Sequence, residues 1–474
     1  MKNYPILING SLVDSSEKII INSPINNMAY ATVPYINEEN IVNAAMSAAH
    51  LSFKNWSITT FEFRKNLLLK FKELVLANID ELSQILVNEI SKSYNDSKTE
   101  IIRTMEYLDE TIFQYEKLQN NPMIIGENIH KIKGKTGKFI REPLGVVLAI
   151  SPFNYPFNLL LAKLVPALIS GNTVVYKPAT QGSIIGARIS QLFNDAGFPD
   201  GVINCVVGKG SKIGDLLISH KYVNMISFTG SARVGNHISD VCHKIPLVLE
   251  MGGKDPAIVL DDADLELAAN EIVKGGLSYN GQRCTAIKRV FVTPKNHAKL
   301  VELVVNKVQS LTIGNPFDNN FITPLISNSS ANYVLELVND AISKGAKTCL
   351  EIKREENLLW PMIIDNVTID MKLAWEEPFG PVIPFIEFNT IEEVIEYSNN
   401  SEYGLQASIF TNNIELAESI ALKLECGTVN INRSSSRGPD IFPFSGVKNS
   451  GFGTQGILDA ILSMTKIKGI IFNK

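Results

Sequence analysis

The sequence has little of what marks several large classes of protein. Only five cysteines (Cys205, Cys242, Cys284, Cys349 and Cys426) occur in 474 residues, odd in number and never in a Cys-x-x-Cys pair. A disulfide framework or zinc ribbon is without support, and most of these thiols are expected to be reduced and structural. The six histidines form no His-x-x-x-His or His-Glu-x-x-His pattern, and Asp261-Asp-Ala-Asp264 lacks the glycine and distal glutamate of a calcium loop. No metal site is expected. There is no basic excess: 44 Lys and Arg face 49 Asp and Glu, a formal net charge of −5, so nucleic acid is a poor candidate partner. The most apolar stretch, 146–167, is interrupted by Pro152, Asn154, Pro156, Asn158, Lys163 and Pro166 and does not read as a membrane span. Near the start, Lys2 is followed only by the short run Pro5-Ile-Leu-Ile8, ending at Asn9-Gly10, which is unlike a signal peptide. A cytoplasmic location is expected.

What the chain does have is length, and a composition of 45% hydrophobic and 20% charged residues that suits an ordinary globular protein of two or three domains. Helical spacing of apolar residues runs through 37–56 and 60–78, the latter with Phe63, Leu67, Phe71, Leu74 and Val75, and continues in 80–93 and 97–118. The N-terminal part is therefore expected to be largely helical. Segment 119–137 is polar, contains Pro122, Gly126, Gly134 and Gly137, and reads as an extension or hairpin off the main body. After Arg141, short β-rich runs at 145–150, 173–176, 202–207, 225–228 and 247–249 alternate with helical stretches. A second alternating series follows at 257–260, 289–292, 382–385, 408–410 and 428–431. Such alternation predicts two doubly wound α/β domains with a cleft between them.

Two glycine clusters fall short of nucleotide fingerprints. Gly208-Lys-Gly210 follows a strand-like run, but its third glycine is Gly214 where the dinucleotide motif needs one at Ile213. Phe228-Thr-Gly230-Ser-Ala-Arg-Val-Gly235 has phosphate-loop spacing, yet Asn236-His237 replaces the Lys-Ser/Thr that would hold phosphates and magnesium. What survives there is a helix N-terminus able to hold a pyrophosphate.

Three other segments carry chemistry. In Gly281-Gln-Arg-Cys284-Thr a cysteine stands beside Arg283 at a glycine turn, which could expose it and bias it toward thiolate, although most cysteines are small buried hydrophobes. In Leu249-Glu250-Met-Gly-Gly253-Lys-Asp-Pro256 a carboxylate ends an apolar strand before two glycines, giving it freedom to move as a base; a solvent-facing charge is the plainer alternative. Asn154 in Ser151-Pro-Phe-Asn154-Tyr-Pro156 follows the 145–150 run, where ligands collect at the carboxyl ends of parallel strands, or serves merely as turn punctuation.

These segments occur in order with Asn172-Thr-Val-Val-Tyr-Lys177-Pro-Ala-Thr180, Glu376-Glu377-Pro-Phe-Gly-Pro381 and Pro443-Phe-Ser-Gly-Val-Lys-Asn-Ser-Gly-Phe-Gly453. Together they resemble the aldehyde dehydrogenase superfamily from about Ile6 to the C-terminus, with Met251 and Ser445 as small departures from its usual leucine and glycine. The resemblance implies two Rossmann-like α/β domains and a small β oligomerisation extension. The cofactor domain would comprise 1–118 and 138–250, the catalytic domain 251–435, and the extension and C-terminal arm 119–137 and 436–474 of a homotetramer built as a dimer of dimers.

By the same resemblance, Cys284 attacks the aldehyde carbon, and the Asn154 side chain and the Cys284 backbone N–H hold the oxyanion. A hydride passes to the nicotinamide, and Glu250 activates the water that opens the thioester. Lys177, Thr180, Gly230, Ser231, Glu377, Pro152 and Phe153 are implied at the cofactor. Neutral Thr180 stands where many NAD-using relatives carry a glutamate that would repel a 2′-phosphate, which implies NADP. Segment 278–289 looks like the branch that oxidises glyceraldehyde 3-phosphate to 3-phosphoglycerate without inorganic phosphate, in which residues matching Arg103, Tyr155, Arg283 and Arg437 grip the phosphate. A different small aldehyde, such as succinate semialdehyde or lactaldehyde, is the alternative, since pocket specificity rests on few side chains.

Overall fold

The computed structural model describes residues 1–126, 134–242 and 244–473; residues 127–133 of the anticipated extension lie outside the described residues. Four helices, Glu39–Trp56, Phe61–Ala77, Ile79–Ile90 and Tyr94–Asn120, follow the helical periodicity closely. Two begin on side-chain caps, Thr60 accepting from the Phe63 N–H and Ser93 from the Asp96 N–H. The apolar face of Phe61–Ala77 is pinned by Phe71, whose ring stacks on Phe193 at 3.8 Å between centroids.

The expectation of a largely helical N-terminal part needs correction, because strands occupy Lys2–Asn3, Ile6–Ile8, Ser11–Val13, Lys18–Asn22 and Ala29–Pro34. Asn9-Gly10, with φ of 50° and 74°, is a two-residue hairpin turn joining Ile6–Ile8 to Ser11–Val13. These strands are too short for their alternation to outweigh the strong helical signal that follows.

The first sheet has the order Ile203–Cys205, Thr173–Lys177, Val146–Ile150, Val223–Thr229, Leu247–Glu250, all parallel, with Gly451–Phe452 added antiparallel at the edge. Chain order therefore reverses between Val146–Ile150 and Val223–Thr229, and the crevice beyond their carboxyl ends is where such folds take ligands. The second sheet runs Lys347–Thr348, Met362–Asp365, Val382–Glu387, Ile287–Val292, Asp255–Val259, Gln406–Phe410, Thr428–Ile431, parallel except for its first pair.

One apolar core gathers residues from Tyr4 to Met251 together with Tyr279, Ile457, Ile461 and Met464; two others lie wholly within 257–424. Helix Ile457–Ser463 thus packs on the first core, and within 436–474 the stretch that reaches outward is Thr465–Asn473. That strand pairs antiparallel with Lys135–Pro143, which also pairs with Met123–Ile125.

Candidate active site

The turn before the cysteine is backbone-strained in a way that the motif alone did not reveal. Tyr279, Asn280 and Gly281 have consecutive φ values of 50°, 57° and 70°. For the two non-glycine residues this costs on the order of 1–3 kcal/mol each. Buried side chains hold the conformation: Asn280 accepts from the Thr323 N–H at 2.8 Å and donates to Thr323 Oγ1 at 3.1 Å, while Gln282 Oε1 accepts from the Ile326 N–H at 3.0 Å. At Gly281 a Cβ would run into the Gly380 carbonyl. The turn delivers Cys284, a free and half-buried thiol, immediately before strand Ile287–Val292.

Burial pushes the Cys284 thiol up to about 11, opposed by Lys288 and reinforced by Glu250, Glu377 and Asp255. This corrects the expectation of a thiolate favoured by Arg283. The Arg283 guanidinium instead donates from Nη2 to the Gly275 carbonyl at 2.5 Å, and the cations acting on the thiol are Lys288 and Arg437.

Asn154, on the loop after Val146–Ile150, is buried and donates from Nδ2 to the Gln282 carbonyl at 2.9 Å. The amide expected to face an oxyanion thus lies against the nucleophile's own turn. The Cys284 backbone N–H takes no partner among the described residues.

Glu250 ends strand Leu247–Glu250 and is 7% exposed. Its carboxylate accepts from Thr229 Oγ1 at 3.0 Å and from Arg437 Nη1 at 3.1 and 3.3 Å. Thr229 Oγ1 in turn accepts from Lys163 Nζ at 2.7 Å, and burial brings that ammonium down to about 8. Neither Lys163 nor Thr229 stood out in the sequence; Lys163 registers only as a charge inside an otherwise apolar helix, Asn158–Ile169.

The two glycines after Glu250 have a steric reason. A Cβ on Gly252 would fall inside the Glu377 carboxylate, and one on Gly253 would lie 3.0 Å from the Cys284 carbonyl oxygen. Glu377 accepts from the Gly253 N–H at 3.2 Å and pairs with Lys288 at 2.9 Å.

Of the four residues implied at a phosphate, two are tied to one another and to acids. Arg103 makes a bidentate pair with Asp440, Nε to Oδ2 at 2.9 Å and Nη2 to Oδ1 at 2.8 Å, and Nη2 also reaches the Arg437 carbonyl at 2.9 Å. Arg437 holds Glu250 and donates from Nη2 to Gln455 Oε1 at 2.7 Å. Tyr155 packs edge-on to Tyr279 at 6.0 Å, with the buried Lys92 ammonium 3.6 Å from its ring centre. Arg283 faces Gly275, as above. A cavity of about 580 Å³ opens beside Arg437, lined also by Arg433, Asn430, Ser436 and Phe444.

Apart from Glu377, which lies before strand Val382–Glu387 of the second sheet, the residues implied at the cofactor are borne by the first sheet and its connections. Gly230 and exposed Ser231 stand between strand Val223–Thr229 and helix Ala232–Val241, so that first-turn N–H groups are available to an anion. Pro152 and Phe153 are half-buried, the Phe153 ring edge-on to Phe379 at 5.8 Å. Lys177 is buried, its ammonium brought down to about 8 by burial, and its bond is to the Pro178 carbonyl at 3.3 Å; no carboxylate pairs with it among the described residues. Thr180, three residues on, is exposed. A buried, unpaired cation beside a neutral side chain fits a phosphate-bearing dinucleotide. No group of three or more His, Cys, Asp or Glu side chains suited to a metal occurs among the described residues.

A half-buried cysteine on a strained turn, a buried carboxylate and an amide at the crevice between two Rossmann-like sheets define a thiol-dependent oxidoreductase site. The aldehyde dehydrogenase family model matches residues 12–470, and the chain belongs to that family. It is 47% identical over 472 residues to an NADP-dependent glyceraldehyde-3-phosphate dehydrogenase of Streptococcus equinus, covering 100% of this chain and 99% of the relative. It is 45% identical over 461 residues to the Arabidopsis thaliana enzyme of the same name, covering 97% and 92%. Among solved structures, NADP-dependent glyceraldehyde-3-phosphate dehydrogenase from Bacillus halodurans C-125, complexed with NADP, superposes with a TM-score of 0.97 at 45% identity over 100% of both chains.

Proposed function

We propose that this chain is an NADP-dependent aldehyde dehydrogenase that oxidises glyceraldehyde 3-phosphate to 3-phosphoglycerate with water and without inorganic phosphate. The observation that carries the reading is the convergence of Cys284, Asn154 and Glu250, with the Arg103 and Arg437 guanidiniums at the same crevice. Close relatives that bear the corresponding enzyme name support the substrate and the cofactor.

In this reading Cys284 gives its thiol proton to solvent and Sγ bonds to the aldehyde carbon as the carbonyl π bond opens; the oxyanion so formed takes hydrogen bonds from the Cys284 N–H and from Asn154 Nδ2, which gives up the Gln282 carbonyl to do so. Lys177, Gly230, Ser231, Glu377, Pro152 and Phe153 would hold NADP, which would supply the hydride acceptor when bound. The thioester left on Cys284 is opened by water, whose proton goes to Glu250 once that carboxylate leaves Arg437. Arg103, Tyr155, Arg283 and Arg437 receive the substrate phosphate, Arg103 by exchanging Asp440 for the dianion. A cytoplasmic setting belongs to the same proposal and is consistent with five free thiols.

The assay is direct. Purified protein given glyceraldehyde 3-phosphate and NADP, with no inorganic phosphate, is expected to form NADPH, and Cys284→Ser to abolish it. Turnover that requires added phosphate would overturn the reading. The internal pairing of Arg103 with Asp440 keeps a second reading in play, that the aldehyde is a different short one such as succinate semialdehyde or lactaldehyde. A relative from Priestia aryabhattai, 34% identical, is named 3-sulfolactaldehyde dehydrogenase. Comparison of kcat/KM across these aldehydes decides between the two.

A further inference from the structure

Lys288 is a buried cation to which the motifs assign no role. It is the second residue of strand Ile287–Val292, its side chain is 2% exposed, and its ammonium bridges two walls of the site. On one side Nζ donates to the Cys284 carbonyl oxygen at 2.5 Å; on the other it pairs with Glu377 Oε1 at 2.9 Å. Glu377 also accepts from the Gly253 N–H, three residues beyond Glu250, so one ammonium connects the nucleophile's turn with the strand end that carries the base.

Desolvating an ammonium costs several kcal/mol unless partners replace its water. The flexible stem of a lysine could carry this charge to solvent, yet here it is spent on Cys284 and Glu377. The neighbouring buried cations are otherwise engaged: Lys254 donates to the Glu376 carbonyl, and Arg289 to the carbonyls of Lys254, Tyr397 and Ser398. The charged groups that act on the Cys284 thiol are Lys288 and Arg437 on the positive side and Glu250, Glu377 and Asp255 on the negative side.

We propose that Lys288 is a positioning residue that clamps the Cys284 turn to Glu377 and sets the positive charge facing the thiol. The inference rests on Cys284 being the nucleophile. A lysine retained only for packing would leave the titration of Cys284 where it is when replaced, whereas a charge clamp would not.

The test uses full-length protein without cofactor and follows alkylation by iodoacetamide against pH, with Cys284→Ser giving the background from the other four thiols. In Lys288→Gln the midpoint of the Cys284 profile is expected to move up by roughly one pH unit, slowing alkylation at pH 8 about tenfold. Lys288→Arg, which keeps the charge, is expected to hold the midpoint within about 0.3 units of wild type. In steady state, Lys288→Gln lowers kcat with little change in the KM for aldehyde. The same Lys288→Gln step is repeated in a Glu377→Gln background, where no carboxylate is left without its partner, and is again expected to raise the midpoint. An unchanged midpoint on removing the lysine in either folded background overturns the proposal. Loss of the nucleophile assignment is read separately, as a Cys284→Ser protein that still turns over.

Discussion

Arg437 and Arg103 lie side by side but do different work. Arg437 donates to both oxygens of Glu250, a buried charge-assisted pair, whereas Arg103 is spent on Asp440 and on the Arg437 carbonyl. Removal of one partner of such a contact costs about 1.5–3 kcal/mol where the other partner stays buried. Arg103→Leu is therefore expected to raise the KM for the phosphorylated aldehyde by roughly tenfold or more, with kcat for unphosphorylated glyceraldehyde little changed. Arg437→Leu frees Glu250 and is expected to lower kcat on both aldehydes. Steady-state kinetics on the two substrates checks the contrast; equal losses for both variants on both substrates would show that neither arginine senses the phosphate. At this scale Cys284, Glu250 and Asn154 could be picked out as candidates because they sit in short motifs, and the joint order of those motifs, more than their immediate neighbours, singled them out. Asp440 and Lys288 were not readable, because their roles come from partners that only folding supplies. Arg103 meets Asp440 across 337 positions, and Lys288 meets Glu377 from another strand's connection.

Helix Ser183–Ala196, which follows the loop bearing Thr180, begins on a buried carboxylate rather than on a side chain of its own. Glu89, fully buried on Ile79–Ile90, accepts from the Ile184 N–H at 2.7 Å and the Ile185 N–H at 3.0 Å. Burial pushes its carboxyl up to about 7 from 4.5, and these backbone bonds offset only part of that rise. A proton therefore binds more tightly in the folded state. The associated stability is complete below the unfolded value and is lost as pH climbs from about 4.5 to about 7, on the order of 3 kcal/mol in all. Glu89→Gln keeps one acceptor oxygen and cannot ionise. The wild-type thermal midpoint is expected to fall between pH 5 and pH 7.5 relative to that of the variant; parallel profiles would refute the assignment. At the strand end that bears Glu250, Gly252→Ala sets a methyl where the Glu377 carboxylate lies, displacing it from the Gly253 N–H and from Lys288. A displacement of this kind near reacting groups is expected to cost roughly a hundredfold in kcat/KM, with a lowered thermal midpoint because the buried Lys288 ammonium loses its carboxylate. Most elements were legible from periodicity because long helices and five-residue buried strands announce themselves. The N-terminal strands were not, since two- and three-residue strands draw their stability from the sheet and core they join.

Viewed whole, the molecule gathers its buried apolar residues into three cores, and its terminal strand is one of the places where apolar side chains remain exposed. Thr465–Asn473 is a nine-residue edge strand with one neighbour, and Ile467, Ile470, Ile471 and Phe472 are between 40% and 54% exposed. Alternation sends Ile467 and Ile471 to one face with Gly469, and Ile470 and Phe472 to the other with Lys466 and Lys468. A long edge with apolar residues on both faces would invite uncontrolled pairing unless covered, and the two lysines guard only one face. The occupant we propose is a second copy of this chain, in keeping with the homotetramer that the family resemblance implies. Ile467→Asp combined with Ile471→Asp places two charges on the unguarded face while leaving the ladder to Lys135–Pro143 intact. Light scattering is expected to find wild type at a multiple of the 52.3 kDa chain and the double variant at a smaller multiple. Cys284 lies in the other part of the molecule, within the catalytic turn, so its alkylation profile is expected to persist in the dissociated form. A variant whose mass is unchanged would mean that this edge is covered by something other than a copy of itself.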